Sequence, residues 1–220
     1  MALFRRRTPR SQSDAGAKTD DTQIEVEAVE LREEDVRGPR DSAGERSPAG
    51  YVDLGVLYVP RIPGLKFQWK TPGADQMTIS SIQMVLGSSA VSATLAAAPK
   101  SGGAWEELMD QITASLEGSG GSVERVQGPY GEELRARVPL ALPGGAKGVA
   151  PIRVVGVEGP RWVLRLDITG AAAAGDPLQI AACEALIDRL IVNRGTHPWI
   201  RLQVLPLTLP KGAGTANGPG

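Results

Sequence analysis

Arginine alternates with apolar residues along three segments in the second half of the chain. Successive side chains of a β-strand point to opposite faces, so this alternation predicts strands with arginine on one face and apolar residues on the other. If these strands are neighbours in one sheet, five arginines share a face: Arg135, Arg137, Arg153, Arg161 and Arg165. Guanidinium groups form paired hydrogen bonds with carboxylates and phosphates and stack on planar rings. The pattern therefore predicts a binding surface for an acidic partner or a phosphorylated ligand.

A plainer interpretation of the same pattern is an ordinary solvated face. Glu133, Glu158 and Asp167 lie in the same segments and can pair with the arginines. Cross-strand ion pairs of this kind contribute from a few tenths of a kcal/mol to about 1 kcal/mol each. Both interpretations stay open at the level of the sequence.

A second candidate site follows the last predicted helix, where Arg194, His197 and Trp199 lie close together in the chain. His197 is the single histidine, and a carboxylate from elsewhere would make it a general base. Trp199 offers a ring for ligand contact. These residues predict, as an alternative, a small-molecule-binding pocket or an unrecognised active site. The simpler interpretation is a histidine in a surface loop.

Familiar catalytic and metal-binding motifs are missing from the sequence. It contains no Gly-x-Ser-x-Gly turn, no Gly-x-x-x-x-Gly-Lys-Ser/Thr phosphate loop, no Gly-x-Gly-x-x-Gly turn between strand and helix, and no His-x-x-x-His pair. Zinc requires three or four ligands, of which Cys183 and His197 supply only two. Cys183 is predicted to be a small core residue. No catalytic residue, metal or cofactor is predicted, and this favours a non-enzymatic domain.

Composition and charge limit which further classes of function the sequence favours. The 220 residues carry 24 Lys plus Arg and 25 Asp plus Glu, for a formal net charge of -1. This balance removes the argument from global charge for nucleic-acid binding, which stays as a third and weaker alternative. A single cysteine cannot form an internal disulfide and fits the reducing cytoplasm. No apolar stretch is long enough for a signal peptide or a membrane span.

The first 50 residues are predicted to be a disordered leader with segregated charge. Residues 1–10 hold four arginines and no acid, and residues 11–50 hold eleven acids against five bases. The acidic part is predicted either to be a solubility tail or to shield the arginine face. Residues 211–220 are predicted to be a flexible glycine-rich tail, which leaves one globular domain at residues 51–210. Weak contact with a membrane surface is predicted for five residues of the basic start: Leu3, Phe4, Arg5, Arg6 and Arg7.

Within that domain, the apolar pattern with its glycines and prolines predicts four strands, a helix, four more strands and a second helix. The strands are expected at residues 54–59, 65–70, 77–86, 90–97, 122–127, 132–139, 152–158 and 161–169. Ser101 is the expected cap of the first helix, and Asp176 with Pro177 opens the second, which closes near Asn193. This order predicts an α+β fold with a mostly antiparallel sheet of about seven or eight strands and two long helices. The element order is similar to that of PsbP-like sandwiches.

Four strings of residues carry a family resemblance: VDLG at 52–55, AAPKSGGAW at 97–105, GPYGEELRARVP at 128–139 and GPRW at 159–162. Together they resemble an uncharacterised actinobacterial family of domains of unknown function, DUF3710. The resemblance covers about residues 51–210 and includes the arginine-rich start and the acidic leader. It implies no activity, cofactor or site residue. It also implies no fixed histidine at the place of His197, where the family continues through a variable stretch to a Leu-Pro-Leu ending, here residues 205–207.

The sequence therefore favours a non-enzymatic cytoplasmic binding or adaptor domain, whose partner is an unknown protein. Its predicted binding surface is the arginine face. The pocket near His197 carries the alternative of a small-molecule-binding protein or an enzyme.

Overall fold

The computed structural model describes residues 37–69, 78–141 and 145–209. The predicted tail and the leader before residue 37, with its proposed shielding role and membrane contact, lie outside the described residues. Within the described part of the chain the fold is α+β, with a large antiparallel sheet and two helices, as the sequence predicts.

The elements follow one another in an order close to the predicted one. Along the described residues they are β1 (Arg40–Asp41), β2 (Tyr51–Asp53), β3 (Leu57–Pro60), β4 (Lys66–Gln68), β5 (Thr78–Ile79), β6 (Ile82–Leu86), β7 (Ser89–Ala97), α1 (Ala104–Gly118), β8 (Ser122–Gly128), β9 (Gly131–Ala141), β10 (Lys147–Gly159), β11 (Trp162–Gly170), α2 (Pro177–Ile187), β12 (Ile191–Val192) and β13 (Leu207–Thr208). The large sheet has the strand order β4-β6-β7-β11-β10-β9-β8, and all of its neighbouring strands are antiparallel. A smaller sheet has the order β1-β12-β3-β2, and β5 pairs with β13.

The large sheet has an apolar core on each of its faces. On one face, Leu164, Leu166 and Ile168 of β11 pack with residues of α2, β3 and β12. On the other face, Val163 of β11 and Leu134 of β9 pack with residues of α1. Because both faces are covered, apolar residues occupy both sides of the central strands. An apolar side chain on these strands therefore does not by itself reveal which face it occupies.

Helix α1 lies on its face of the sheet through a stripe of buried residues, Trp105, Met109 and Ile112, at helical spacing. The indole of Trp105 packs directly on Gly156 of β10, where a Cβ would overlap the ring. The sequence predicts Ser101 as the cap of this helix, but Ser101 does not cap it. Instead, the carboxylate of Glu158 accepts hydrogen bonds from the backbone N–H groups of Gly103 and Trp105.

The structure corrects the predicted end of the second helix. Helix α2 ends at Ile187 rather than near Asn193, because Ile191 and Val192 pair with β1 and β3 as strand β12. Strand β1, which lies before Tyr51, pairs in parallel with β12. Asp176 caps α2 as predicted, accepting hydrogen bonds from two N–H groups of the first turn.

Neither helix of the described residues combines the length and the apolar character needed to cross a lipid bilayer.

Candidate functional site

A groove of about 1140 Å³ opens between α2 and the face of the large sheet formed by β8, β9 and β10. Ile180 and Glu184 of α2 contribute to one wall, and Arg135 and Arg137 of β9 contribute to the sheet side. The turn at residues 172–175 lines it between β11 and α2. We call this feature the arginine groove.

The register of the strands brings the arginines into the groove. Arg135 of β9 is paired with Arg153 of β10, so their side chains share one face. Arg137 follows two residues later on the same face and is paired with Pro151. The residue between them, Ala136, is buried on the opposite face. The alternation of arginine with apolar residues along β9 therefore has the predicted structural effect.

Arg153 is buried beneath the groove and held by two carboxylates. Its Nε and one terminal nitrogen donate to the two oxygens of Glu133 at 2.8 and 2.9 Å, and its other terminal nitrogen donates to Glu184 at 3.1 Å. Burial acts to lower the pKa of Arg153, but the hydrogen bonds and charges of Glu133 and Glu184 outweigh it, and the pKa is raised. Arg153 therefore links β9, β10 and α2, and three of its five N–H donors are engaged.

A tight turn between β8 and β9 fixes one end of the groove. Gly128 leaves room for Glu133, since a Cβ at this position would overlap a carboxylate oxygen of Glu133. The hydroxyl of Tyr130 donates to the carboxylate of Asp188, just after α2, at 2.8 Å. Burial, followed by this bond to Asp188, raises the pKa of Tyr130. The turn is thus attached to the end of α2.

Arg135 and Arg137 remain accessible on the groove surface. The side chain of Arg135 is 63% exposed and lies 3.5 Å from Glu133, whose two oxygens already accept from Arg153. Arg137 is exposed and forms no ion pair with another described residue. Val149, Pro151 and Ile180 add apolar surface nearby. The groove therefore presents two guanidinium groups beside apolar contacts, and its lining also includes the carboxylates of Glu184 and of Glu124, which is paired with Arg135 across β8 and β9.

The prediction that five arginines share one face is wrong for two of them. Arg165 lies on the opposite face of the sheet and donates to Asp167 at 2.8 Å. The register pairs Arg153 with Ile168, which puts Arg165 out of phase with Arg153. Arg161 precedes β11, in the turn that connects it to β10. Only Arg135, Arg137 and Arg153 line the arginine groove.

The residues of the second predicted site are partly brought together. Arg194 and Trp199 line a separate pocket of about 390 Å³, together with Arg161. His197 is exposed and does not line it, although its ring contacts Trp199 edge to face at 4.7 Å between centroids. Cys183 is buried in the core, as predicted. Among the described residues, no group of His, Cys, Asp and Glu side chains is arranged to hold a metal ion.

Sequence reasoning missed several residues that shape these sites. Glu133, which the sequence names as a partner for the arginines, holds Arg153. The sequence does not indicate Glu184, which also holds Arg153, or Arg37, which lies 3.5 Å from Glu184. Lys100 and Arg201 line the smaller pocket. The alternation along β9 places Glu133 on the face of Arg135, and this signal was available in the sequence. The other contacts join distant segments and leave no local signal.

A family model described as "Protein of unknown function (DUF3710)" matches residues 38–216, which is most of the chain. The matched span includes β1, in agreement with its place in the smaller sheet. No curated protein and no solved structure matches the chain.

Proposed function

The chain belongs to the DUF3710 family of proteins of unknown function, and we propose that its domain is a binding or adaptor domain. In this proposal the domain holds an acidic, extended segment of a partner protein. The observation that carries this proposal is the arginine groove, with Arg135 and Arg137 exposed on its sheet side. A well-formed cleft with a few convergent polar groups is a usual candidate for a binding site.

The spacing of the two arginines favours an extended ligand. Alternate residues of a strand lie about 7 Å apart on one face. An extended peptide with acidic residues at alternate positions presents its carboxylates at the same spacing. Arginine forms paired hydrogen bonds with carboxylates, so Arg135 and Arg137 can each take one acidic side chain.

The size and lining of the groove favour a chain over a compact small molecule. Its volume of about 1140 Å³ is above the range of about 300–1,000 Å³ that is usual for small-molecule sites. Val149, Pro151 and Ile180 offer apolar contacts to the uncharged side chains of such a segment. Two exposed ion pairs contribute about 2 kcal/mol at most. The complex is therefore expected to be weak and transient.

A non-enzymatic role in the cytoplasm completes the proposal. The single cysteine and the single histidine do not line the groove, because Cys183 is buried in the core and His197 lies elsewhere. The lone cysteine supports a reducing compartment.

Fluorescence anisotropy of the full chain with short labelled peptides tests this function. One peptide carries glutamate at alternate positions among valine, threonine and serine, and two controls carry glutamine or the same glutamates at adjacent positions. We expect the alternating peptide to bind best. The Arg137→Glu variant should weaken it about tenfold or more, whereas Arg46→Glu, an equal charge change at an exposed position outside the groove lining, should not. Equal binding of all three peptides, or no effect of Arg137→Glu, would contradict the proposal.

A further inference from the structure

The smaller pocket, of about 390 Å³, combines four cationic side chains with an indole. It is lined by Ala98, Pro99, Lys100, Arg161, Arg194, Trp199 and Arg201, and no Asp or Glu is among these lining residues. The four cations come from separate parts of the chain: the end of β7, the turn between β10 and β11, and two positions after β12. We call this feature the basic pocket.

We propose that the basic pocket is an oxyanion-binding site that takes the phosphate group of a small phosphorylated ligand. This site is separate from the arginine groove and does not depend on the proposed protein-binding function. Three observations support this site. It has a surplus of positive charge, the backbone holds Arg194 in place by hydrogen bonds, and an arginine at its edge has a strained backbone conformation.

The charge of the pocket is largely uncompensated. Arg201 is paired with Glu107 of α1, whose carboxylate accepts from its guanidinium. For Lys100, Arg161 and Arg194, no ion pair with a described residue is formed. Three cations without a paired carboxylate suit a phosphate dianion better than a single carboxylate, because phosphate offers three acceptor oxygens and about two negative charges.

Arg194 is held in place by carbonyl groups rather than by an acid. Its Nε donates to the backbone oxygen of Arg161 at 3.0 Å, and a terminal nitrogen donates to that of Gly195 at 3.2 Å. Burial, and then the charge of Arg161, lower the pKa of Arg194. A bound anion would relieve the repulsion between these two guanidinium groups.

Arg161 occupies a backbone conformation that favours glycine. Its φ is +66°, in the two-residue turn it forms with Pro160 between the paired residues Gly159 and Trp162. Non-glycine residues in this region are strained by roughly 1 kcal/mol or more, and such residues cluster at functional sites. Its carbonyl also accepts from the N–H of Ala98, which fixes the turn to the end of β7. The chain therefore has an arginine at a position where a glycine would be less strained.

Trp199 supplies a donor that has no partner. Its indole Nε1 is buried and forms no hydrogen bond with the described residues. A buried N–H without an acceptor is unfavourable, and the ring that carries it lines the basic pocket. The loop that carries Trp199 and Arg201 is attached to β7 by the hydrogen bond from the N–H of Leu202 to the carbonyl of Ala97 at 2.8 Å. The loop beside the pocket is thus fixed to the sheet.

The test is a ¹⁵N NMR titration of the full chain at constant ionic strength with sodium phosphate, phenyl phosphate and sodium acetate. We expect both phosphates to shift the indole N–H signal of Trp199 and the amide of Arg161, with saturation, and acetate to shift them much less. Arg161→Gly should weaken phosphate binding about tenfold or more while keeping or raising the Tm, because glycine relieves the backbone strain. Loss of binding with the fold retained separates a ligand contact from a structural role.

Arg46→Gln, at an exposed position that lines neither the basic pocket nor the arginine groove, is the control and should leave phosphate binding unchanged. An equal response to acetate, no saturable response to phosphate, or wild-type binding by Arg161→Gly would overturn the proposal. None of these results bears on peptide binding in the groove, so the two proposals fail independently.

Discussion

Arg153 and Glu133 form a two-point pair beneath the arginine groove, in which each carboxylate oxygen accepts one hydrogen bond from the guanidinium. Both side chains are almost completely buried, with 9% and 1% of their surface exposed. The pair joins β9 to β10, and the third bond of Arg153, to Glu184, joins both strands to α2. The two sides of the groove are therefore connected through one residue.

Breaking this pair on one side is expected to destabilise the fold strongly. Glu133→Gln leaves the buried guanidinium of Arg153 with one negatively charged partner instead of two. Removal of one partner of a buried ion pair costs about 3–5 kcal/mol in the free energy of unfolding. Replacing both residues, as Glu133→Leu with Arg153→Met, should cost less than the single change because no buried charge is left unpaired. Urea unfolding measures both. A single-variant loss below that of the double variant would contradict the role assigned to the pair.

Gly128 is expected to tolerate no side chain. In Gly128→Ala the new Cβ would meet the carboxylate of Glu133, which cannot move away without leaving Arg153. We expect a loss of about 1–3 kcal/mol in the free energy of unfolding. Gly118→Ala is the control, because a Cβ at this position, at the end of α1, would meet no atom within 4 Å apart from its chain neighbours and the backbone of its own helix, and it should be neutral or slightly stabilising. Equal effects of the two substitutions would exclude a specific contact at Gly128.

Tyr130 is expected to make stability depend on pH in the alkaline range. Its pKa is raised in the folded chain, mainly by burial, so unfolding above its usual pKa near 10 releases a proton from this group. Its contribution is complete below pH 10 and decreases as the pH rises further. Tyr130→Phe should lower the free energy of unfolding at pH 8 by about 1 kcal/mol and should flatten its decline between pH 9.5 and 11. Parallel pH curves for the two proteins would contradict this assignment.

The start of α1 is expected to depend on Glu158 rather than on Ser101. Glu158 accepts from the N–H groups of Gly103 and Trp105, whereas the side chain of Ser101 forms no described hydrogen bond there. Glu158→Ala should therefore cost about 1 kcal/mol in thermal or urea unfolding, as loss of a helix cap does, and Ser101→Ala close to nothing. A larger loss of stability from Ser101→Ala than from Glu158→Ala would instead support Ser101 as the cap predicted from the sequence.

The sequence pattern was sufficient for features that depend on one strand or one helix. Alternation along β9 predicted that Arg135 and Arg137 share a face, and Asp176 before Pro177 predicted the cap of α2. Each of these features is set by local periodicity or by a local hydrogen bond.

Features that depend on the register between strands were not predictable in the same way. Whether Arg165 shares a face with Arg153 depends on which residues of β10 and β11 are paired, and a shift by one residue reverses the answer. The sequence pattern extends α2 too far because Ile191 and Val192 fit an apolar helix face equally well, whereas in the structure they pair with β1 and β3. The basic pocket joins residues that are about 100 positions apart, such as Lys100 and Arg201, and no local pattern indicates it.

A charge-swap measurement directly tests whether the arginine groove holds carboxylates at alternate positions. The full chain and its variant with Arg135→Glu and Arg137→Glu are each titrated with the alternating glutamate peptide and with the same peptide carrying lysine instead. We predict that the original chain prefers the glutamate peptide and that the variant prefers the lysine peptide, because opposite charges face each other only in those two combinations. If the variant still prefers the glutamate peptide, or if neither protein discriminates, the groove does not recognise its ligand through these arginines.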